Sequence, residues 1–517
     1  MADVKAPVDT HEDRSLSDVD NEKHHAQHHT AAIAENLDDL DDPDAGKSAE
    51  ERAAIDKALM RKVDLWLIPW LCLLYLLSFL DRTNIGNARL AGMEKSLGMT
   101  KHPHYYNNTL TIFFISYALA EPVTNVLLKR LTPRVFFTAI ILTWGLIMTL
   151  MGLVTSYGGL LACRWFLGLA EAGLFPGLLG VNYYLSCWYK RSELGVRAAT
   201  FFSAAALAGS FGGLLAAAIA KMNGVGGKPG WAWIFIIEGI VTMFVGCFCW
   251  WMVFDWPATA RFLSPEDRIR LRRRLAADNQ SSSAEEYDKR HIIAALKDWK
   301  CYAYAFIYMG VLMPLYAFSL FLPTILAGMG YAGTRAQLLS VPPYACAAAM
   351  TIFVGWVADR TRQRGLCNMV VVSFAIVGFT MLISTKNPHI QYAGTFLGAM
   401  GIYPTIPNTL SWASNNIEGV YKRGVIIGIV VGWGNLNGVV SSNIFLAQQK
   451  PRYWTGHGAV LGYLIVCVLG GTIFIHTKLR MENKARLSGK RDAMHAGKTD
   501  DQIWLAGDNR PDFIYTL

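Results

Sequence analysis

LWLIPWLCLLYLLSFLDRTNIGNA, from Leu65 to Ala88, is an apolar run whose only charges are the adjacent Asp81 and Arg82. At about 1.5 Å of rise per residue, it is long enough to cross the roughly 30 Å hydrocarbon layer of a bilayer as one helix. Two opposite charges at membrane depth are costly, so they need partners and point to a function. The fourth apolar run of the chain offers candidate partners, Arg164 and Glu171.

Outward from this stretch the pattern repeats. The chain has 517 residues, 53% hydrophobic and 17% charged, with 16 Trp. Twelve apolar runs are expected as spans, at about 65–88, 110–128, 135–154, 160–185, 198–220, 231–254, 302–326, 338–358, 366–383, 392–413, 425–446 and 460–477. The fold class is therefore an all-α polytopic membrane protein of twelve transmembrane helices in two six-helix bundles. The first run begins too late for a cleaved secretory signal, and the Met1 end is polar. The formal charge of +9 does not argue for a nucleic-acid partner. Its basic residues lie in the connections between spans, where they set orientation and meet anionic lipid. The nine cysteines lie in or beside apolar runs and are expected as free thiols.

Five segments follow. Residues 1–60 form a polar, disordered tail whose cluster of His24, His25, His28 and His29 is solvated rather than a metal site. Residues 61–254 form the first six-helix bundle, 255–301 a linker with a basic amphipathic helix, 302–477 the second bundle, and 478–517 a tail. Basic residues collect in the connections on the side of the N-terminus (Lys129, Arg130, Arg134, Lys190, Arg191, Arg197, Arg360, Arg362, Arg364, Lys422, Arg423), so both tails are expected in the cytoplasm. The halves echo each other: Phe166-Leu167-Gly168 and Phe175-Pro176 in span four answer Phe396-Leu397-Gly398 and Tyr403-Pro404 in span ten.

Arg164 and Glu171 are seven residues apart, about two turns, and share a face of span four. If spans one and four touch, Asp81, Arg82, Arg164 and Glu171 form one buried cluster of zero net charge. A guanidinium holds a carboxylate in two-pronged geometry. A carboxyl at low dielectric loads or releases a proton as a neighbouring Arg moves. Arg82 and Arg164 are read as anion-binding, and Asp81 and Glu171 as proton-coupling. Asp81 pairs with Arg164 in one state, and Glu171 carries the coupled proton. Glu121, before Pro122, and Glu238, near the outer end of span six, are read as structural. The second half offers Asn435, Asn437 and Tyr308 for the polar end of a substrate. Glycines in spans five and eleven permit close helix approach. No nucleophile with partners, cofactor motif or metal-spaced ligand set stands outside the His tail, so no enzyme is expected.

Gly355-Trp356-Val357-Ala358-Asp359-Arg360, ending in Arg364-Gly365, resembles the signature between spans eight and nine of the major facilitator superfamily. The resemblance implies a cytoplasmic gate lock through Asp359, Arg360 and Arg364. The first-half counterpart, Asn125 to Arg134, departs from the pattern, with Lys129 where Asp is usual. Ser78 to Ala88, with Arg164, Glu171-Ala172-Gly173 and Phe175-Pro176-Gly177, is similar to the anion:cation symporters, in particular their fungal allantoate permease branch with its nicotinate, pantothenate and biotin carriers. The ending Phe513-Ile514-Tyr515-Thr516-Leu517 resembles the aromatic C-terminus of that branch. The branch implies proton-driven uptake of a small organic anion at the plasma membrane, by a protein expected to be monomeric. A drug:proton antiporter usually has Pro in span five, which is absent here, and the sugar-carrier motif is matched only in part by Trp256 to Arg261. Export of a metabolite or drug, or a non-transporting nutrient sensor, are the alternative functions.

Overall fold

The computed structural model describes residues 42–173, 184–185, 187–190, 193–276, 289–331, 333–449, 452–491 and 507–517. The first half is built from α1 (Ala49–Leu90), α2 (Tyr105–Arg130), α3 (Pro133–Met151), α4 (Tyr157–Glu171), α5 (Leu194–Ile219) and α6 (Gly230–Met252). Two linker helices follow, α7 (Pro265–Ala276) and α8 (Lys289–Lys297). The second half contains α9 (Trp299–Gly328), α10 (Val341–Thr361), α11 (Arg364–Ser384), α12 (Pro388–Asn415) and α13 (Val420–Ile444). A final run passes from α14 (Trp454–Gly462) through a π-helical stretch into α15 (Gly471–Leu487). Helices thus stand at all twelve expected positions. Nine of them, among the described residues, are long and apolar enough to cross a membrane; α2, α4 and α12 are the more polar or shorter three. The Phe175-Pro176-Gly177 part of span four and the His cluster lie outside the described residues.

The rim of the protein is apolar: Leu119, Val123, Phe244, Trp251, Phe353 and Val466 are all well exposed. This is the surface that lipid accepts, because the helices satisfy their own backbone groups. Inside, the halves meet along α5–α10 and α2–α13. A Cβ on Gly213 of α5 would lie 2.5 Å from the Gln337 carbonyl oxygen, and one on Gly438 of α13 would lie 2.2 Å from the Phe114 ring. These glycines let the helices approach, as the sequence suggests.

Two differences from the sequence reading appear on the face that carries both ends of the described chain. First, α1 begins sixteen residues before Leu65, so residues 49–60 are helical rather than part of a tail. The cause is a capping box. The Ser48 hydroxyl accepts from the Glu51 amide, and the Glu51 carboxylate accepts from the Ser48 amide at 2.8 Å. Linker helix α7 then clamps this extension: Arg270 meets Asp44 at 3.0 Å, Lys62 meets Asp267 at 3.2 Å, and Arg274 meets Asp56 and Glu193. These linker arginines pair with protein carboxylates, where the sequence suggested anionic lipid.

Second, Gly507–Leu517 is docked. Asp508, 1% exposed, pairs with Lys300 and, at 2.8 Å, with Lys422. Tyr515 exchanges two backbone bonds of 2.8 Å with the Asn483 amide, and Arg486 donates to its hydroxyl. Asn416 brackets Thr516, and the Trp412 indole donates to the Thr516 carbonyl at 2.9 Å. The Gly365 amide donates to the Leu517 carbonyl at 3.2 Å. The ending thus ties α9, α11, α12, α13 and α15 together, which no hydropathy pattern foretells.

Burial pushes the Asp508 carboxyl up, but the Lys300 and Lys422 ammonium groups outweigh it and hold it below the usual aspartate range. A carboxyl depressed in the docked state adds stability above its undocked value of about 4 and loses it as pH falls through its docked value. Acidification below about pH 4 is therefore expected to release the ending, read as protease accessibility of the C-terminus in detergent. Asp508→Ala leaves the buried Lys300 only its 3.5 Å contact with Asp298 and should destabilise the fold by roughly 1–3 kcal/mol, read as a lower thermal midpoint.

Candidate functional site

Successive residues on an α-helix point about 100° apart. Asp81 and Arg82 therefore leave α1 in different directions, and each meets a different set of partners. Arg82 turns toward α4. Its Nε and Nη2 donate to Glu171 Oε1 at 3.2 and 2.9 Å, and Ser78, one turn earlier on α1, donates its hydroxyl to the same oxygen at 2.5 Å. The pair is sealed from solvent, Arg82 being 4% exposed and Glu171 fully buried. The guanidinium also lies over the Tyr117 and Phe113 rings, 4.9 and 5.3 Å from their centroids. Desolvated cation–π contacts of this kind are among the strong ones.

From Arg82 a polar relay crosses to the second half and returns. Arg82 Nη1 donates to the Tyr316 hydroxyl of α9 at 3.2 Å, and that hydroxyl donates to Asn435 Oδ1 of α13 at 2.8 Å. The Asn435 amide donates to Glu121 of α2 at 3.2 Å. Glu121 therefore answers the other half, beyond the local structural role that Pro122 suggested.

Arg164 joins the same chamber. It is fully buried, its guanidinium sits 4.7 Å from the centre of Phe113, and Nε donates to the Thr109 carbonyl at 3.2 Å. Its Nη1 and Nη2 have no hydrogen-bond partner among the described residues, and neither does Glu171 Oε2.

Asp81 is not in this group, so the single four-charge cluster expected from the sequence is divided. Its Oδ2 accepts from the Trp144 indole and the Thr242 hydroxyl, both at 3.0 Å, and it makes no ion pair with Arg164 in this conformation. The 100° step along α1 is the reason: once Arg82 faces α4, Asp81 must face α3 and α6.

The second-half candidates separate in the same way. Asn435 is in the relay. Asn437 faces elsewhere, donating to the Trp433 carbonyl and accepting from Tyr463 at 3.3 Å. Tyr308 packs its ring where a Cβ on Gly434 would lie 2.6 Å away, and its buried hydroxyl has no partner among the described residues. Tyr316, Ser78 and the rings of Phe113 and Tyr117 complete the chamber. Ser78 opens the symporter-like segment, while nothing in the local pattern singles out Phe113 or Tyr117.

At the face carrying the chain ends, Arg364 binds Asp359 and donates to Asn408 at 3.2 Å. A Cβ on Gly195 of α5 would lie 2.1 Å from Asp359 Oδ1, so this second-half motif rests on the first half. Arg360 is exposed over the Trp356 ring and takes no part in that contact.

The profile of the Major Facilitator Superfamily matches residues 71–442. The MFS-type transporter cnsO of Penicillium expansum is 35% identical over 477 residues, covering 89% of this chain and 90% of the relative. The high-affinity nicotinic acid transporter of Saccharomyces cerevisiae is 29% identical over 464 residues, covering 89% and 85%. The fold resembles a bacterial homolog of the human lysosomal transporter Spinster in an inward-facing, unoccupied conformation, with TM-score 0.58, 14% identity, and 78% and 92% coverage.

Removing one member of a buried ion pair leaves an uncompensated charge. Arg82→Gln and Glu171→Gln are each expected to lower stability by roughly 3–5 kcal/mol, whereas the double variant should recover much of the loss. A thermal-unfolding double-mutant cycle in detergent measures this; strictly additive losses would contradict the pairing.

Proposed function

The chain belongs to the Major Facilitator Superfamily, and on that premise we propose that it is a proton-coupled carrier that takes up a small organic anion by alternating access. The carrying observation is a mismatch among buried polar atoms. Among the described residues, Arg164 Nη1 and Nη2 are donors without acceptors, while Glu171 Oε2 and Asp81 Oδ1 are acceptors without donors. A carboxylate cargo supplies what Arg164 lacks, in the planar geometry that a guanidinium prefers. A proton supplies what the carboxyl groups lack. A cationic cargo would answer the carboxyl oxygens but leave Arg164 unmatched, and a neutral one would accept from Arg164 without balancing its charge.

In this reading Arg164 receives the anion and Arg82 follows. Arg82 is held by Glu171 and Tyr316 here, so an arriving carboxylate competes with Glu171 for it. Glu171, once displaced, takes the proton, because a buried carboxylate without its cation is costly. Asp81 is the second coupling carboxylate. Displacing Arg82 also loosens the Tyr316–Asn435–Glu121 relay between the halves, which lets them rock. Asp359 and Arg364 act as the gate lock against α5.

The Phe113, Tyr117 and Tyr316 rings suit a flat or aromatic acid. Nicotinate, allantoate and pantothenate are the leading substrate class, and the yeast nicotinic acid transporter among the relatives supports it. We place both chain ends in the cytoplasm, on the face rich in basic connections, and the protein in the plasma membrane as a monomer.

The test is uptake of labelled nicotinate, allantoate, pantothenate, biotin and tartrate in cells lacking their own carriers, with and without a protonophore. Accumulation of at least one acid, abolished by the protonophore, is expected. Accumulation that survives collapse of the proton gradient would remove the coupling, and outward flux alone would favour an exporter. Glu171→Gln should lose accumulation yet keep exchange of the same acid; full accumulation in that variant sinks its assigned role.

A further inference from the structure

Asp81 shares its side of α1 with a second carboxylate. Glu238 on α6 stands one turn before Thr242, and Asp81 stands one turn before Asn84. Two hydrogen bonds cross the seam between the helices: Thr242 donates to Asp81 at 3.0 Å, and the Asn84 amide donates to Glu238 Oε2. Residues one turn apart lie about 5–6 Å apart on a helix surface, so the two carboxyl groups are neighbours across the seam. Both are buried, Asp81 at 0% and Glu238 at 4% exposure.

No cation pairs with either among the described residues. The charged and titratable groups around α1 face the other way: Arg82 is bound to Glu171 of α4 and Tyr316 of α9, Arg164 is on α4, and Tyr117 of α2 lies over Arg82. From α3 the pair meets Trp144, and from α5 it meets Gly212, where a Cβ would come within 3.3 Å of Asn84 Oδ1. Neither is titratable.

What remains is an excess of acceptors. Asp81 Oδ1 and Glu238 Oε1 have no donor among the described residues. Asn87, 5% exposed, donates to Asn84 Oδ1 at 3.0 Å and leaves its own Oδ1 unpartnered as well. Two of these buried oxygens belong to carboxyl groups on the same seam, and they call for a positive charge. A hard metal ion asks for about six oxygen ligands, and Asp81 Oδ2 is already taken by two hydrogen-bond donors. Two carboxyl groups in one site, by contrast, readily hold a single proton between them, as repulsion prevents both from ionising.

We propose that Asp81 and Glu238 form an off-axis proton site, a carboxyl–carboxylate pair buttressed by Asn84 and Asn87, separate from the anion chamber. It rests on the proton-coupled reading above and adds Glu238 to it. The proton arrives from water and adds an O–H to one carboxyl, which removes that group's repulsion of the other. Its loss leaves two anions repelling across the α1–α6 seam. Because Asp81 and Arg82 are consecutive on α1, loading here is felt at the anion chamber through one helix.

The test needs no cargo. Purified protein reconstituted in lipid is titrated between acid and alkaline pH, and the protonated-carboxyl band is followed by difference infrared spectroscopy, with deuterium exchange to identify it. Wild type should show a titrating band. Glu238→Gln and Asp81→Asn should each remove it or move its midpoint by about one pH unit or more, because the titration belongs to the pair. Glu238→Asp should restore a titrating band, and Glu171→Gln should leave the Asp81–Glu238 band in place. Should Glu238→Gln fold poorly, judged by thermal midpoint, Glu238→Asp against Asp81→Asn carries the comparison. A band unchanged by the Glu238 substitutions overturns the site. A titrating pair in a protein whose uptake ignores the protonophore would leave the site standing and sink the transport reading instead.

Discussion

The Arg82–Glu171 ion pair is the contact on which the interior depends. It is dry, it is made by consecutive turns of α1 reaching α4, and it fixes the rotation of α1 about its own axis. Once Arg82 is turned to α4, every other polar residue of that helix has its direction assigned. Ser78 falls beside Arg82 and supports Glu171; Asp81, Asn84 and Asn87 fall toward α6. One helix thus presents a cationic anchor to one compartment and a carboxylate to another. A buried pair of this kind is a poor stabiliser compared with apolar packing. Its persistence here therefore argues for a device that must come apart.

The two halves are held differently in the middle and at the face that carries the chain ends. In the middle, Tyr316 and Asn435 link them through single hydrogen bonds, each of modest net strength. At that face each half has its own strap. Linker helix α7 clamps the extension of α1 and the start of α5 with multiple ion pairs, and the docked C-terminal ending gathers five helices of the second half. Such an arrangement keeps each half rigid within itself and leaves the seam between them the softest part. Rigid-body rocking about a central site asks for that distribution.

Much of this was legible in the chain. The long apolar runs and the loop from Gly355 to Gly365 follow from length and local pattern, and the Arg82–Glu171 contact joins two residues that the pattern singles out. What spacing along a helix does not give is its rotation relative to neighbours. The sequence groups Asp81 with Arg164 on the condition that spans one and four touch, yet azimuth sends it to Trp144 and Thr242. Glu238 looked like an isolated bond to a neighbouring helix; it is one, but the neighbour is α1, and that placement brings it beside Asp81. Glu121 finds Asn435 more than three hundred residues away, a pairing no local pattern encodes. The ending from Gly507 was visible as an aromatic motif, while its docking depends on Asn416, Lys422 and Asn483, polar residues that read as ordinary loop or helix-end chemistry.

Charge counting gives the interior a direction. Among the described residues of the first half, the buried carboxyl groups Asp81, Glu171 and Glu238 stand against the buried guanidinium groups Arg82 and Arg164. With all five of these groups ionised they would carry one negative charge too many, and an anionic cargo would add a second. Low dielectric makes such an excess prohibitive. Protons are the remedy that needs no additional side chain, and they are most needed when the cargo is present. The same imbalance that makes an anion unwelcome alone makes it acceptable together with protons. Under the proposed function, coupling would require no dedicated switch: an excess of buried carboxyl groups over arginines, with the arginines given to the cargo, is enough.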